Sequence, residues 1–266
     1  DANLVRVLQR QCQGRVVLID HETVRAGAPA IGQRIAALRA AGARFAIVDA
    51  VANDDLLTMG RAFAGLPLLV AGSGVAIGLP QNHGLAASAA AARLPGPGGA
   101  RAIVSGSCSA ASNAQVADFL ARGGAGFAVD PLRIAAGEDV AAAALDWARA
   151  RLGERPVLFY ATAEPAAVKA VQDRLGVERA GGLVEDTLAA IARGLVAQGV
   201  GQLIVAGGET SGACVQALGV AQLRIGPQID PGVPWCHARL PPEWGGGGLH
   251  LALKSGNFGA ADFFTR

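Results

Sequence analysis

Short runs of Val, Ile and Leu, separated by stretches with helical spacing, govern what this chain can fold into. RVVLID at 15–20, FAIVDA at 45–50 and LPLLVA at 66–71 have strand length and strand composition. Between them, QRIAALRAAG carries apolar residues at helical spacing up to a terminating glycine, and DDLLTMGRAFAG reads as a second helix. A β-α-β-α-β order implies a parallel sheet, because a crossover helix returns the chain to the same strand direction. Hydrophobic residues make up 52% of the chain and charged ones 17%, which excludes disorder and suits a sheet covered on both faces.

The stretch LPGPGGA at 94–100 has the composition of a connection between domains. After it the rhythm resumes, with a strand at ARAIVSG, a helix from Ser109 to about Arg122, and a strand at GFAVD. A helix around 138–151, a strand at PVLFYA and a helix from Glu164 to Leu175 follow. GGLVEDTLAAIARGLVAQG is an amphipathic helix leading into the strand QLIVAG, the loop GGETSG and a helix at ACVQALG. The chain then returns through LRIG, a Pro/Gly-rich excursion at 226–248, a strand at LHLALK, the loop SGNFG and a short terminal helix. The expected fold class is α/β, with two parallel-sheet, Rossmann-like, three-layer domains at 1–93 and 101–266.

Several function classes fall away. The formal charge is +2, and no basic run exists to track a nucleic-acid backbone. Cys12, Cys108, Cys214 and Cys236 lack CxxC spacing, and His21, His83, His237 and His250 are dispersed, so no metal site is expected. The uncharged length from Arg61 to Arg93 is broken by Pro67, Gly72, Gly74, Gly78 and Pro80, which argues against a membrane span. The first residues lack the apolar core of a signal peptide, and the expected location is the cytoplasm.

Three polar, glycine-containing loops each follow an apolar strand: SGSCS at 105–109, GGETSG at 207–212 and KSGNFG at 254–259. In a parallel sheet ligands gather at the carboxyl ends of strands, where loops offer backbone N–H groups and helix dipoles to phosphate. Gly207 and Gly208 permit close backbone approach, and the hydroxyls of Thr210 and Ser211 suit phosphate oxygens or a hydrated magnesium ion. Glu209 suits that ion or a ribose; Ser107 and Ser109 repeat the pattern in the first loop. In these two loops the competing explanation is a helix N-cap. Lys254, one of two lysines, precedes Gly256 and Asn257, where an ammonium would neutralise phosphate; a surface strand end is the competing explanation. No GxxxxGK[ST] loop occurs.

Together, GSCSAASNAQV, GGETSGACVQALG and LALKSGNFGAADFF resemble the four-carbon acid sugar kinases, most closely their 3-oxo-tetronate 4-kinase branch, ahead of the D-threonate and D-erythronate kinases. The resemblance implies ATP and Mg²⁺ as cofactors and phosphorylation of the 4-hydroxyl of a four-carbon acid. It places ATP contacts on Ser107, Ser109, Gly208, Glu209, Thr210, Ser211 and Gly256 with its neighbours, to which the loop reading adds Gly207, Gly212, Lys254 and Asn257. Residues 101–266 resemble the nucleotide-binding domain, and the first segment the closing part of an incomplete sugar-acid domain. The family's ADDxTGA-like acidic motif does not occur here. The expectation is therefore an amino-terminally truncated chain that binds MgATP and is inactive alone. Asp20, Glu22 and Asp49, at or beyond strand ends, are the candidates for a base within it. The expected partner is a small sugar acid, and a homodimer is compatible with the sequence. Two other readings stand beside this one: a non-catalytic nucleotide-binding regulatory module, and an NAD-dependent oxidoreductase using GSGVAIG at 72–78.

Overall fold

Strand β1 (Val16–Ile19) and strand β2 (Phe45–Val48) pair in parallel, with Val16 opposite Phe45 and Ile19 opposite Val48. They belong to the first of two units, Asp1–Ser88 and Ala89–Arg266, in a computed structural model that describes residues 1–153, 155–242 and 247–266. Helix α1 (Leu4–Gln9) precedes β1, helices α2 (His21–Arg25) and α3 (Ala28–Ala40) lie between the strands, and α4 (Asn53–Ala62) follows. Ile19, Val24, Ile31, Met59 and Phe63 form the core of this unit.

The third strand expected at 66–71 does not form, and Leu68 and Val70 are 77% and 88% exposed. Pro67 lacks a ladder donor, and apolar side chains without a facing layer have nothing to hold them in a sheet. GSGVAIG does not adopt the strand–turn–helix of a dinucleotide fingerprint; Ser73–Gly78 is a 3₁₀ turn. Its glycine serves packing instead, since a Cβ on Gly60 of α4 would strike the carbonyl oxygen of Gly78. The NAD reading thereby loses its motif. Gly60→Ala is expected to destabilise this unit by about 1–3 kcal/mol through overpacking, read as a lower urea midpoint. An unchanged midpoint would show that the helix and the turn separate freely.

The second unit comprises β3 (Ala100–Ser105), α5 (Ala110–Ala121), β4 (Ala125–Ala128), α6 (Pro131–Ala135), α7 (Val140–Arg149), β5 (Val157–Tyr160) and α8 (Pro165–Leu175). Next come α9 (Val177–Ala197), β6 (Val200–Ala206), α10 (Gly208–Ala217), β7 (Arg224–Asp230), β8 (Val233–Arg239) and β9 (Gly248–Lys254). They build one sheet in the order β4-β5-β3-β6-β9-β8-β7. The first five strands in that order pair in parallel, whereas β8 is antiparallel to both β9 and β7. The sheet is thus mixed, and the excursion read at 226–248 is largely a hairpin. Gly232, at φ +77°, lets the chain reverse after Asp230. Residues 243–246, which include part of the GGGG run, lie outside the described residues. The terminal helix is replaced by turns at 261–265.

Alternation along the strands divides the core between the two faces. Val104, Phe159, Leu203, Val205 and Leu251 meet residues of α7, α9 and α10 on one face. Ile103, Leu158, Ala206 and Ala252 meet Val116 and Phe119 of α5 together with Phe263 and Phe264 on the other. Adjacent strands β3 and β6 therefore send their helices to opposite faces. The loops diverge there, and a crevice opens at the carboxyl ends of the strands.

Candidate functional site

Strand register brings the three glycine loops to one level. Ser105 lies opposite Ala206, and Ala206 opposite Lys254, so each loop begins one residue later on neighbouring strands. Gly106 N and Ser107 N donate to Ala206 O at 3.0 and 3.2 Å, and Gly207 N donates to Lys254 O at 2.8 Å. A Cβ on Gly106 would strike Thr210 Oγ1, and one on Gly256 would lie 2.7 Å from Ser107 Oγ. Gly207 holds φ +125°, a conformation that side chains resist.

The second loop is shorter than expected, because α10 begins at Gly208 and absorbs most of GGETSG. Its first helical hydrogen bond runs from Ser211 N to Gly207 O at 2.9 Å. The amides of Gly208, Glu209 and Thr210 precede that bond and have no intrahelical acceptor, at the positive end of the helix dipole. A Cβ on Gly208 or Gly212 would meet nothing within 4 Å. Thr210 is buried beneath Gly106 and Gly207. Ser211 Oγ is buried and has no hydrogen-bond partner among the described residues.

In the first loop the cap and the inter-loop contact coincide. Ser109 Oγ accepts from Ser112 N at 3.2 Å, capping α5, and donates to Gly256 O at 2.6 Å. Ser107 Oγ donates to Ser109 Oγ at 3.2 Å. Asn113 Nδ2 reaches the carbonyls of Cys108, Ser109 and Ala163, each at 3.2 Å, and so ties this loop to the one after β5.

Lys254 departs from the expectation of a surface strand end. It is neither a surface residue nor directed outward: it is fully buried, and Nζ donates to Ser112 Oγ and to the carbonyls of Ser255, Gly256 and Phe258 at 2.9–3.2 Å. Burial pushes its pKa down to about 8. Asn257 is exposed at the loop tip.

Beside the loops lies a cavity of about 410 Å³ that sequence reasoning missed, with a predominantly apolar wall that includes Val129, Val168, Val171 and Val184. Gly106, Glu209 and Thr210 connect it to the glycine loops, and Glu185 of α9 joins them. Burial, followed by the neighbouring Glu209 carboxylate, raises the pKa of Glu185. Gly181, which also lines the cavity, offers open space where its Cβ would stand. Small residues on facing helical surfaces were the available signal, but periodicity alone reads them as core.

In the first unit Asp20 caps α2, accepting from Thr23 N at 2.8 Å and Thr23 Oγ1 at 2.9 Å, which lowers its pKa. That carboxylate is a poor proton acceptor. Glu22 lies in the first turn of α2, and Asp49 follows β2. Sequence reasoning overlooked Asp55, which accepts from Val51 N and Ala52 N at 2.9 Å and meets His21 Nε2 at 3.2 Å. Among the described residues no group of three or more His, Cys, Asp or Glu stands together as a metal cage, and no helix is long and apolar enough to cross a membrane.

Comparison with known proteins adds to this geometry. Residues 102–264 match the family described as a nucleotide-binding C-terminal domain, and residues 1–79 match one described as a sugar-binding N-terminal domain. A 3-oxo-tetronate kinase of Burkholderia multivorans is 56% identical over the whole chain, and one of Cupriavidus necator is 53% identical over 99% of it. The chain spans 61% and 60% of the lengths of these two relatives. A solved structure from Salmonella typhimurium LT2, described as a putative tRNA synthase, matches all of this chain and 62% of its own, at 36% identity and TM-score 0.75. A Haemophilus influenzae protein matches all of this chain and 63% of its own, at 38% identity and TM-score 0.66.

Proposed function

Because this chain belongs to the four-carbon acid sugar kinase family, we propose that residues 101–266 bind MgATP for transfer of its γ-phosphoryl to the 4-hydroxyl of 3-oxo-tetronate. The observation that carries this reading is the in-register meeting of three glycine loops beside an apolar cavity. The cavity takes the adenine ring. Amides of Gly208, Glu209 and Thr210, together with the loops at Ser107–Ser109 and Gly256–Asn257, take the phosphates. Gly207 supplies the turn into α10, and exposed Gly212 leaves its outer face clear.

The paired carboxyls of Glu185 and Glu209 are oxygen donors of the kind magnesium takes, and they are the residues that would hold it near the phosphates. An ion held there would neutralise charge on the transferring group. The chain's own contribution is to orient the nucleotide and exclude water, because phosphoryl transfer depends mainly on alignment and electrostatics. Residues 1–93 contribute to the sugar-acid side, and with Asp20 engaged as a cap, Asp49 and Glu22 are the remaining candidates there for the base.

Calorimetry with MgATP and NAD side by side tests the cofactor. Heat with MgATP and none with NAD is the expected result, and the converse overturns the reading. For the chemistry, residues 1–266 can replace the matching segment of the Burkholderia multivorans kinase. The chimera should release ADP in response to 3-oxo-tetronate more than to D-threonate or D-erythronate. A chimera that binds ATP and turns over none of the three would favour a non-catalytic nucleotide-binding module.

A further inference from the structure

We propose that Lys254 and Gln115 are positioning residues for phosphate: from the buried side of the third loop they draw its carbonyls inward and so present the N–H groups of Gly256 and Asn257 to the ligand. The proposal rests on the nucleotide reading above and gives that site a residue pair that need not touch the nucleotide.

Lys254 Nζ donates to the carbonyls of Ser255, Gly256 and Phe258. Gln115, fully buried on α5, donates through Nε2 to the carbonyls of Phe258, Gly259 and Ala260 at 3.1, 3.0 and 3.0 Å. Gly256 O also accepts from Ser109 Oγ at 2.6 Å and Ser112 Oγ at 3.1 Å, which saturates its lone pairs. In a trans peptide the carbonyl and the following N–H point in opposite directions. Inward carbonyls on Ser255 and Gly256 therefore turn the amides of Gly256 and Asn257 outward. Phe258 N donates to Ser255 O and Ala260 N to Asp230 Oδ2, whereas the amides of Gly256 and Asn257 find no acceptor among the described residues. A loop saturated on its inner face with free amides on its outer face is an anion receptor.

Charge acts in the same direction. No carboxylate pairs with Lys254 among the described residues, and desolvation alone lowers its pKa. The groups it meets on α5 and the loop are neutral, namely Ser112 and peptide carbonyls. The ionisable groups are Glu209 and Cys214 on α10 and Cys236, His237 and Arg239 on β8. Glu209 lies beside Glu185, the two thiols are pushed up by burial and so uncharged, and Asp230 at the far end of the loop pairs with Arg266. A buried ammonium without a counter-ion, one peptide layer behind the loop, makes an outer-face anion its compensating charge.

Calorimetry of the 266-residue chain with MgATP and with adenosine tests this, on the wild type, Lys254→Met and Lys254→Arg. Lys254→Met is expected to weaken MgATP about 30–100-fold, the scale of hydrogen bonds to a charged group, and adenosine less than about threefold; Lys254→Arg should recover part of the loss. Wild-type affinity for MgATP should fall as pH rises from 7 to 9.5, because the empty site loses its ammonium proton near pH 8. Binding at pH 8.5 should take up a proton, seen as heat that varies with the ionisation enthalpy of the buffer. Lys254→Met should show neither effect. A folded Lys254→Met that binds MgATP within threefold of wild type, or that loses MgATP and adenosine equally, overturns the proposal. If Lys254→Met does not fold, the wild-type profile decides: flat affinity without proton uptake overturns the proposal while leaving nucleotide binding intact. Absence of MgATP binding at every pH overturns the nucleotide reading itself.

Discussion

Gly208→Val is expected to abolish measurable MgATP binding while leaving thermal stability within about 2 °C of wild type. The two effects separate because the position is free of neighbours. A Cβ on Gly208 meets no atom of the chain within 4 Å, and the residue is exposed at the start of α10. Valine is tolerated in a helix better than glycine, so folding should not suffer. The branched side chain instead occupies the space over the first-turn amides where an anion must approach. Loss of two or three charge-assisted hydrogen bonds of about 1.5–3 kcal/mol each corresponds to a change in Kd of about 10²-fold or larger. Calorimetry and a thermal melt on one preparation check both halves. Wild-type affinity in Gly208→Val would place the phosphates elsewhere, and Gly207→Val is the necessary contrast, since at φ +125° it should damage folding itself.

Gly181→Phe should act on the other end of the nucleotide. Gly181 sits within α9 and borders the apolar cavity, and its Cβ direction is open. A phenyl ring there fills the space assigned to adenine. MgATP and adenosine should both weaken by about 100-fold or more, because the cavity supplies most of the apolar burial available to a base. Stability should rise slightly, by roughly 0.3–0.5 kcal/mol, since a helix-interior glycine is replaced by a residue of better propensity. A ligand that loses affinity while the protein gains stability cannot be explained by misfolding. Gly181→Phe that lowers MgATP but spares adenosine would move the base out of this cavity.

Much of this arrangement was legible in the order of residues. β3, β5, β6 and β9 fall where short apolar runs predict them, and Ser109 caps α5 as its spacing demands. The three loops were recognisable because glycine beside hydroxyls after an apolar strand is a local pattern. What was not legible depended on distant partners. LPLLVA has strand composition yet finds no ladder, and the hairpin of β7 and β8 was masked by Pro227, Pro231 and Gly232. That Lys254 is buried was hidden because sequence shows the residue before a loop but not which way its side chain turns. The cavity arises from helices brought together only by the fold.

The placement of β9 has a consequence for the order in which the site is assembled. β9 is the last strand of the second unit, yet it lies between β6 and β8 and carries the third loop and Lys254 at its end. During synthesis or refolding β6 must keep an unpaired edge until Gly248–Lys254 inserts, a non-local step of the kind that slows folding and exposes strand edges to wrong partners. The third loop therefore joins the other two in a single late event, and a nascent chain arrested before Gly248 holds only two of the three loops on which the proposed site rests.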